Sequence, residues 1–346
     1  MRNKNLLIAT LVLGVLAFAA VQLNREPKKT SADKQPLVPA ALLDSLQTLS
    51  IKANSKAVTV DKAADGSWTV REKFSLPADV ENHLTPLIRS LQKANNYGLL
   101  TSNAKRLEKL GLTDSSLTLT STDGKSLALE IGKQTEDGLG NSARLQGQPY
   151  AIRTDFTGYL DGDPTSWTDL TLFSAKPEEI KSVSFTWADG KAAYARPAKG
   201  QPFAGKEGQA IEEMCSTIGN VRCADVVAKG DKETETAFAK SWQVKLGLFD
   251  GGNVVLTFAK LAGKTPNEQG KVFVRVAHSD PKHKTNSLAA KGEFIAQSWL
   301  AEQVPASAAD FKKSQQAQAE AGQTAPTIQI PGPSPTIVTS PEIKVK

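Results

Sequence analysis

The chain has 346 residues, of which 40% are hydrophobic and 23% charged, and its formal net charge is +6. Residues 1–34 contain six basic and two acidic residues, and residues 312–346 contain four basic and two acidic residues. These two ends account for the whole charge of +6, so residues 35–311 have no net charge. Nonspecific nucleic-acid binding depends on clustered Lys and Arg, so a neutral body argues against a nucleic-acid partner.

The first predicted element is a membrane anchor in residues 1–24. Leu6 to Leu23 is an uncharged run of 18 residues, which as a helix spans about 27 Å and nearly matches a hydrocarbon core of about 30 Å. Ala17-Phe18-Ala19 supplies an A-x-A pattern, so a cleaved signal peptide is the alternative. A short head before a long body is typical of a signal anchor and favours a body outside the cytoplasm.

A polar segment, 25–45, is predicted as a spacer, and two similar segments follow it, 46–175 and 176–311. Each begins with an alternating strand, "LQTLSIKA" in the first and "IKSVSFTW" in the second. A returning strand and then an apolar helical stripe follow in both. The stripe residues are Val80, Leu84, Leu87, Ile88 and Leu91 in the first segment and Ile211, Met214, Ile218 and Val221 in the second.

Each segment then contains a hairpin of the same length. "LTLTSTDGKSLALEIGK" and "VKLGLFDGGNVVLTFAK" align without a gap, with Asp123-Gly124 opposite Asp250-Gly251. Asp-Gly between alternating strands predicts a two-residue type I′ turn. A pairing strand follows near Ala143 and near Val272. The sequence therefore predicts an α+β fold made of two tandem repeats, each an antiparallel sheet with a packed helix, after one N-terminal transmembrane helix.

The region around the first hairpin also carries a family pattern. Leu107 and Gly111-Leu112 approach the hairpin, Asp123-Gly124 forms its turn, and Ile131-Gly132 closes its second strand. In these features residues 46–311 resemble a bacterial envelope family known as domain of unknown function 4340. The resemblance implies an exported accessory protein with one N-terminal anchor, of a kind often encoded beside gliding-type ABC transporter components. It also implies a single-pass protein of the bacterial inner membrane with its body in the periplasm. It supplies no catalytic residues.

Few residues are candidates for chemistry. Cys215 and Cys223 are the only cysteines, and a break at Gly219-Asn220 would allow a disulfide between them; two buried thiols are the alternative. Trp167, among turn-forming residues, is the candidate for an exposed interaction surface. "AHSDPKHK" places His278, Asp280 and His283 close together, but their spacing matches no established zinc motif, which favours a polar loop.

Acidic pairs occur at Glu178-Glu179, Glu212-Glu213 and Asp161/Asp163, where helix starts, an exposed face and a turn account for them. No catalytic motif, metal site or cofactor fingerprint is present, and the Gln/Ala- then Pro-rich residues 312–346 are predicted to be disordered or extended. We therefore expect a membrane-anchored envelope accessory or scaffold protein that acts by binding and not as an enzyme, with an ABC-type transporter complex as its partner. The alternatives are an envelope hydrolase acting on carbohydrate or peptidoglycan and a cleaved, soluble periplasmic ligand-binding protein.

Overall fold

A computed structural model describes residues 34–136, 138, 140–205, 207–263 and 270–313. Contacts divide the chain into two units, Met1–Asp169 and Leu170–Lys346. Both are mixed α+β, with one antiparallel sheet and short helices. In the described ranges no helix is long and apolar enough to span a membrane. The predicted anchor, most of the polar part of the predicted spacer, and residues 314–346 of the predicted tail lie outside those ranges.

The first unit is built on a sheet of ten strands, with every pairing antiparallel. In chain order the strands are β1 Gln35–Pro36, β2 Leu46–Ala53, β3 Lys56–Lys62, β4 Trp68–Val70, β5 Leu76–Pro77, β6 Asn95–Thr101, β7 Ser115–Ser121, β8 Ser126–Gln134, β9 Asn141–Leu145 and β10 Ala151–Thr154. Across the sheet the order is β1-β6-β10-β9-β8-β7-β2-β3-β4-β5.

The second unit has a sheet of eight antiparallel strands. They are β11 Thr171–Ser174, β12 Ile180–Trp187, β13 Gly190–Ala195, β14 Asn220–Val227, β15 Ser241–Leu248, β16 Asn253–Leu261, β17 Lys271–His278 and β18 Glu293–Ala296. Their order is β11-β14-β18-β17-β16-β15-β12-β13. Strands β11 to β13 correspond to β1 to β3 of the first unit, and β14 to β18 correspond to β6 to β10. With these counterparts, the order of the eight strands is the same as that of the first eight strands in the sheet of the first unit, as a duplication predicts.

Short helices connect the strands. They are α1 Ala40–Asp44, α2 Thr85–Lys93, α3 Ala104–Lys109, α4 Gly208–Ile218, α5 Lys232–Phe238, α6 Lys284–Ala289 and α7 Ser298–Gln303, with 3₁₀ turns at Arg71–Lys73 and Pro177–Glu179. Residues 308–313 are also helical. Leu87 and Leu91 of α2 are buried in one core cluster with Leu49 and Leu117, so this helix covers the apolar face of the first sheet.

A π-helical turn, Val80–Leu84, leads into α2. Asp79 caps it, because its carboxylate accepts the Asn82 amide at 3.0 Å. Pro86 is the second residue of α2, where its missing N–H costs no α-helical bond. The helical segment therefore changes from π to α geometry next to the proline.

The limits of the two units differ from the predicted repeats. Thr171–Ser174, predicted at the end of the first repeat, pairs with β14 of the second unit. At the other end, residues 35–45 were predicted as part of a spacer, but Leu37, Val38 and Leu43 are buried in the core of the first unit. These three apolar side chains explain why the segment folds onto the sheet.

The two Asp-Gly hairpins form, but their turns are not of type I′. The Ser121 amide bonds to the Lys125 carbonyl, and the Gly124 amide bonds to the Ser121 carbonyl. Gly124 has φ +81°, whereas Asp123 is not among the described residues with positive φ. This is a three-residue loop with a glycine bulge. The second hairpin repeats it, with Gly251 at φ +93°.

Gly132, which ends the family pattern, lies where another segment crosses the sheet. A Cβ atom built at this position would lie closer than 3.0 Å to the Leu110 carbonyl oxygen, which accepts the Lys133 amide at 2.7 Å. In the second unit the aligned residue is Ala259, which is fully buried and packs in a cluster with Ala237 of α5. Both units therefore need a small residue at this crossing.

Candidate functional site

The second unit differs from the first in the connection between its last two pairing strands. In the first unit, residues 146–150 join β9 to β10, whereas residues 279–292 join β17 to β18 and contain α6. Because the rest of the sheet order is shared, this longer loop is an addition specific to the second unit. Loops added to a rigid scaffold are common sites of function.

Two histidines at this loop stack on each other. The rings of His278 and His283 have centroids 3.9 Å apart and planes inclined by 18°. The Asp280 amide donates to His278 Nδ1 at 3.0 Å, and the Thr285 amide donates to His283 Nδ1 at 3.2 Å. A nitrogen that accepts a hydrogen bond carries no proton, so each neutral ring has its hydrogen on Nε2.

The loop is fixed by amide and hydroxyl contacts. Asn286 Oδ1 accepts the His278 amide at 2.8 Å, while its Nδ2 donates to the carbonyl oxygens of His278 at 3.0 Å and Asp280 at 2.8 Å. Thr285, which is fully buried, donates its hydroxyl to the Leu172 carbonyl oxygen at 2.8 Å. The loop is thereby joined to β11, and the two imidazoles keep their positions.

Beside the histidines lies an open cleft of about 550 Å³, lined also by Glu179, Asp250 and Asp280. Each of these carboxylates already accepts one backbone amide. Asp250 accepts from Gly252 at 2.8 Å, Glu179 from Lys176 at 2.9 Å, and Asp280 from Lys282 at 2.9 Å. The acids therefore stabilise the turns that form the cleft.

The histidine geometry bears on metal binding. Within the part of the chain that the structure describes, no group of three or more His, Cys, Asp or Glu side chains could hold a metal ion. A histidine that binds a metal through Nε2 carries its proton on Nδ1. In both histidines that proton would point at the backbone N–H that now donates to Nδ1, and the two hydrogens would repel each other. Burial, followed by the nearby His278, lowers the pKa of His283 below its ordinary value. The cleft thus favours a neutral His283 imidazole, which donates from Nε2.

The two cysteines do not form the predicted disulfide. Cys215 on α4 and Cys223 on β14 are both free and buried. Burial raises the pKa of the Cys215 thiol to about 12 and raises that of Cys223 as well. Arg196 is close to Cys215 and partly opposes the effect of burial, which remains the largest cause. Both thiols are therefore buried side chains, the alternative that the sequence left open.

The predicted interaction surface at Trp167 is wrong, because this side chain is only 1% exposed. Its Nε1 donates to the Asp161 carbonyl oxygen at 2.8 Å, and its ring lies 5.5 Å from that of His83. The surrounding turn residues fold over the indole and bury it. The large apolar side chains that are exposed in the described ranges are Phe74, Val80, Leu99, Tyr159 and Trp299.

Other acidic residues singled out by the sequence have structural partners. Glu212 bonds to Arg196 at 2.6 Å, and Asp163 bonds to Lys56. Arg196 is almost fully buried and also donates to the carbonyl oxygens of Gln201 and Pro177. These carboxylates hold turns and helices in place, which accounts for their positions without a catalytic role.

Both sheets leave one face open to solvent. In the first unit, Thr59, Ser50 and Thr118 lie in one row across β3, β2 and β7, on the face opposite the buried leucines. In the second unit the corresponding row contains Ser184 and Lys245. The third residue of this row is Ala193, so the two surfaces occupy the same place in their sheets but differ in composition. No single segment reveals either row, because each row combines three strands.

The comparisons with known proteins identify a family only. A family model described as "Domain of unknown function (DUF4340)" matches residues 68–240, from β4 of the first unit to just before β15 of the second. No curated protein matches the chain, and no solved structure matches it. The matched segment contains half of the 346 residues. The chain therefore belongs to the family described as Domain of unknown function (DUF4340).

Proposed function

We propose that this chain is an envelope protein, held at the bacterial inner membrane by residues 1–24, that acts by binding as an accessory or scaffold of a transporter-type complex. The observation that supports binding is that each unit has an open sheet face at the same place in its sheet. The membrane location rests on the apolar run Leu6 to Leu23, and the transporter partner rests on the family resemblance.

The open faces suit a protein partner. Ser50, Thr118 and Ser184 have short side chains, so little rotamer freedom is lost when they become ordered in an interface. Their hydroxyl groups donate and accept hydrogen bonds, which allows a polar contact without an unpaired buried group. Each unit supplies one such face, so the chain could contact a partner at two places, with a gain in avidity.

The histidine cleft is better suited to binding than to proton transfer. A general base needs a free acceptor nitrogen and a partner that orients the ring. In the described ranges, the acceptor nitrogens of His278 and His283 are both occupied by backbone amides. Protonation of either ring at Nδ1 would break the hydrogen bond from the backbone amide and leave the two N–H groups facing each other, which is unfavourable. The imidazoles are therefore arranged to donate hydrogen bonds to a ligand.

The test is photo-crosslinking in intact membranes with the full-length chain. A benzophenone amino acid replaces Ser50 or Ser184 on the open faces, and Lys199, an exposed residue of the turn after β13, serves as the matched control. We expect adducts with a membrane protein from the two face positions and none from the control. Equal labelling from all three positions, or none from the faces, would overturn the binding role. Sequencing the native N-terminus tests the anchor separately, because a start at Ala20 contradicts it.

A further inference from the structure

We infer that the outer edge of β6 and the helix α3, in the first unit, form a contact surface for an anionic lipid bilayer. This inference rests on the proposed membrane anchor and adds which surface of the body meets the membrane. It begins from a difference between the two units, in which β6 and α3 correspond to β14 and α5.

Most of the outer edge of β6 has no neighbouring strand among the described residues. β1 pairs only with Asn95 and Asn96, so the edge from Tyr97 to Thr101 is uncovered. In the second unit β11 is longer and pairs with β14 as far as Arg222. The unit that follows the predicted anchor therefore has the more open edge.

The open edge of β6 carries exposed apolar surface. Leu99 is 52% exposed, and Leu100 beside it is partly exposed. The pairings with β1 and β11 align Asn95 with Asn220, so Ala224 and Asp225 take the places of these two leucines in the second unit. Because the framework is shared, the leucines are a feature of the first unit alone.

Positive charge is concentrated on the same part of the first unit. Residues 95–109, from β6 to the end of α3, contain three basic residues and one acidic residue. Residues 220–238, from β14 to the end of α5, contain three basic and four acidic residues. Since residues 34–169 as a whole contain fifteen basic and sixteen acidic residues, the excess on β6 and α3 is local.

Two further cations lie beside β6. The Lys34 Nζ atom is 5.9 Å and the Arg153 guanidinium carbon 5.3 Å from the centre of the Tyr97 ring. On α3, Lys105 and Lys109 are exposed and form no ion pair with another described residue. Anionic headgroups attract such side chains within a Debye length of about 8–10 Å, and tyrosine and leucine suit the boundary between headgroups and acyl chains.

The length of the tether favours a bilayer over other anionic partners. Ten residues, 24–33, separate the end of the apolar run at Leu23 from Lys34. Even fully extended, ten residues span at most about 36 Å. Lys34, which lies against Tyr97, therefore stays close to the headgroups while the anchor is inserted. A weak attraction is then sufficient, because the effective concentration of lipid is high.

The test uses the full chain reconstituted into vesicles that contain a lipid with a spin-labelled headgroup. S102C places a fluorescent nitrobenzoxadiazole label between β6 and α3, and the two native cysteines are buried. We expect quenching of this label to be about threefold greater in phosphatidylglycerol than in phosphatidylcholine vesicles. The matched control, A228C, labels an exposed residue between β14 and α5 and should be quenched equally in both.

A pair of charge reversals tests the basic residues. K105E/K109E should lower quenching at residue 102 in phosphatidylglycerol vesicles to the level in phosphatidylcholine vesicles. K229E/K232E makes the same change at exposed residues of the second unit and should leave this quenching unaltered. Flotation tests the anchor separately. A chain that does not float with phosphatidylcholine vesicles lacks the anchor, whereas selective quenching at residue 102 by phosphatidylglycerol would still support the surface.

Three outcomes would overturn the inference. Quenching could be the same at residues 102 and 228 in phosphatidylglycerol vesicles, which would mean that the first unit has no preferred surface. Quenching at residue 102 could survive K105E/K109E, which would mean that the basic residues do not hold the lipid. Quenching that changes with the number of chains per vesicle would assign the edge to a second copy.

Discussion

Replacing Gly132 with alanine tests the crossing of the first sheet by residues near Leu110. In an extended strand without obstruction, Gly to Ala should stabilise by about 0.5–1 kcal/mol, since glycine loses more backbone freedom on folding. Here the new Cβ would approach the Leu110 carbonyl and the Ser142 hydroxyl more closely than 3.0 Å. Overpacking of this kind costs about 1–3 kcal/mol, so the clash should dominate.

The control uses the aligned residue of the second unit, Ala259. Ala259→Gly creates no clash but removes a fully buried methyl group and adds backbone freedom, so we expect about 1–2 kcal/mol of lost stability, and only in the second unit. Hydrogen exchange in increasing urea reports each unit separately, through peptides of β8 and β16. Gly132→Ala should destabilise β8 and leave β16 unchanged. A stabilised or unchanged β8 would refute the crossing at Leu110.

Further predictions concern the histidine loop and the thiols. The pKa of His283 is lower in the folded state than its unfolded value of about 6.5. The unfolded chain therefore takes up a proton at this residue more readily, so the folded chain should lose stability as the pH falls below about 6.5 and keep it above that value. His283→Asn, which keeps an acceptor for the Thr285 amide, should remove this dependence in urea unfolding at several pH values; an unaltered profile would contradict it. Cys215 and Cys223 should resist iodoacetamide in the native chain and both react in urea, whereas a mass lower by two hydrogens would reveal a disulfide.

The sequence predicted the local parts of the fold well. Alternating side chains located β2 and β12, and the Asp-Gly pairs located both hairpins, because these signals act between near neighbours. It missed β6 and β10, since β6 contains Gly98 without a clear alternation and β10 has only four residues. The turn type was also wrong, because one positive-φ glycine suffices when the loop has three residues.

The candidate site could be predicted only in part. The sequence placed His278 and His283 on a polar loop, but their stacking depends on Asn286 and on Thr285, whose partner Leu172 is 113 residues away. Contacts over such separations are set by the order of the strands, which the local pattern does not contain. Trp167 shows the same limit, since turn residues around a tryptophan can expose it or fold over it.

The strand order also constrains how each unit is completed during synthesis. β10 and β18 are the last strands of their sheets to be made, and each lies inside its sheet, between β6 and β9 or between β14 and β17. Until β10 emerges from the ribosome, β6 has only the two-residue β1 beside it and is separated from the rest of its sheet. A nascent chain from which β9 but not β10 has emerged would therefore expose two unpaired edges, those of β6 and β9, which favours aggregation or chaperone binding.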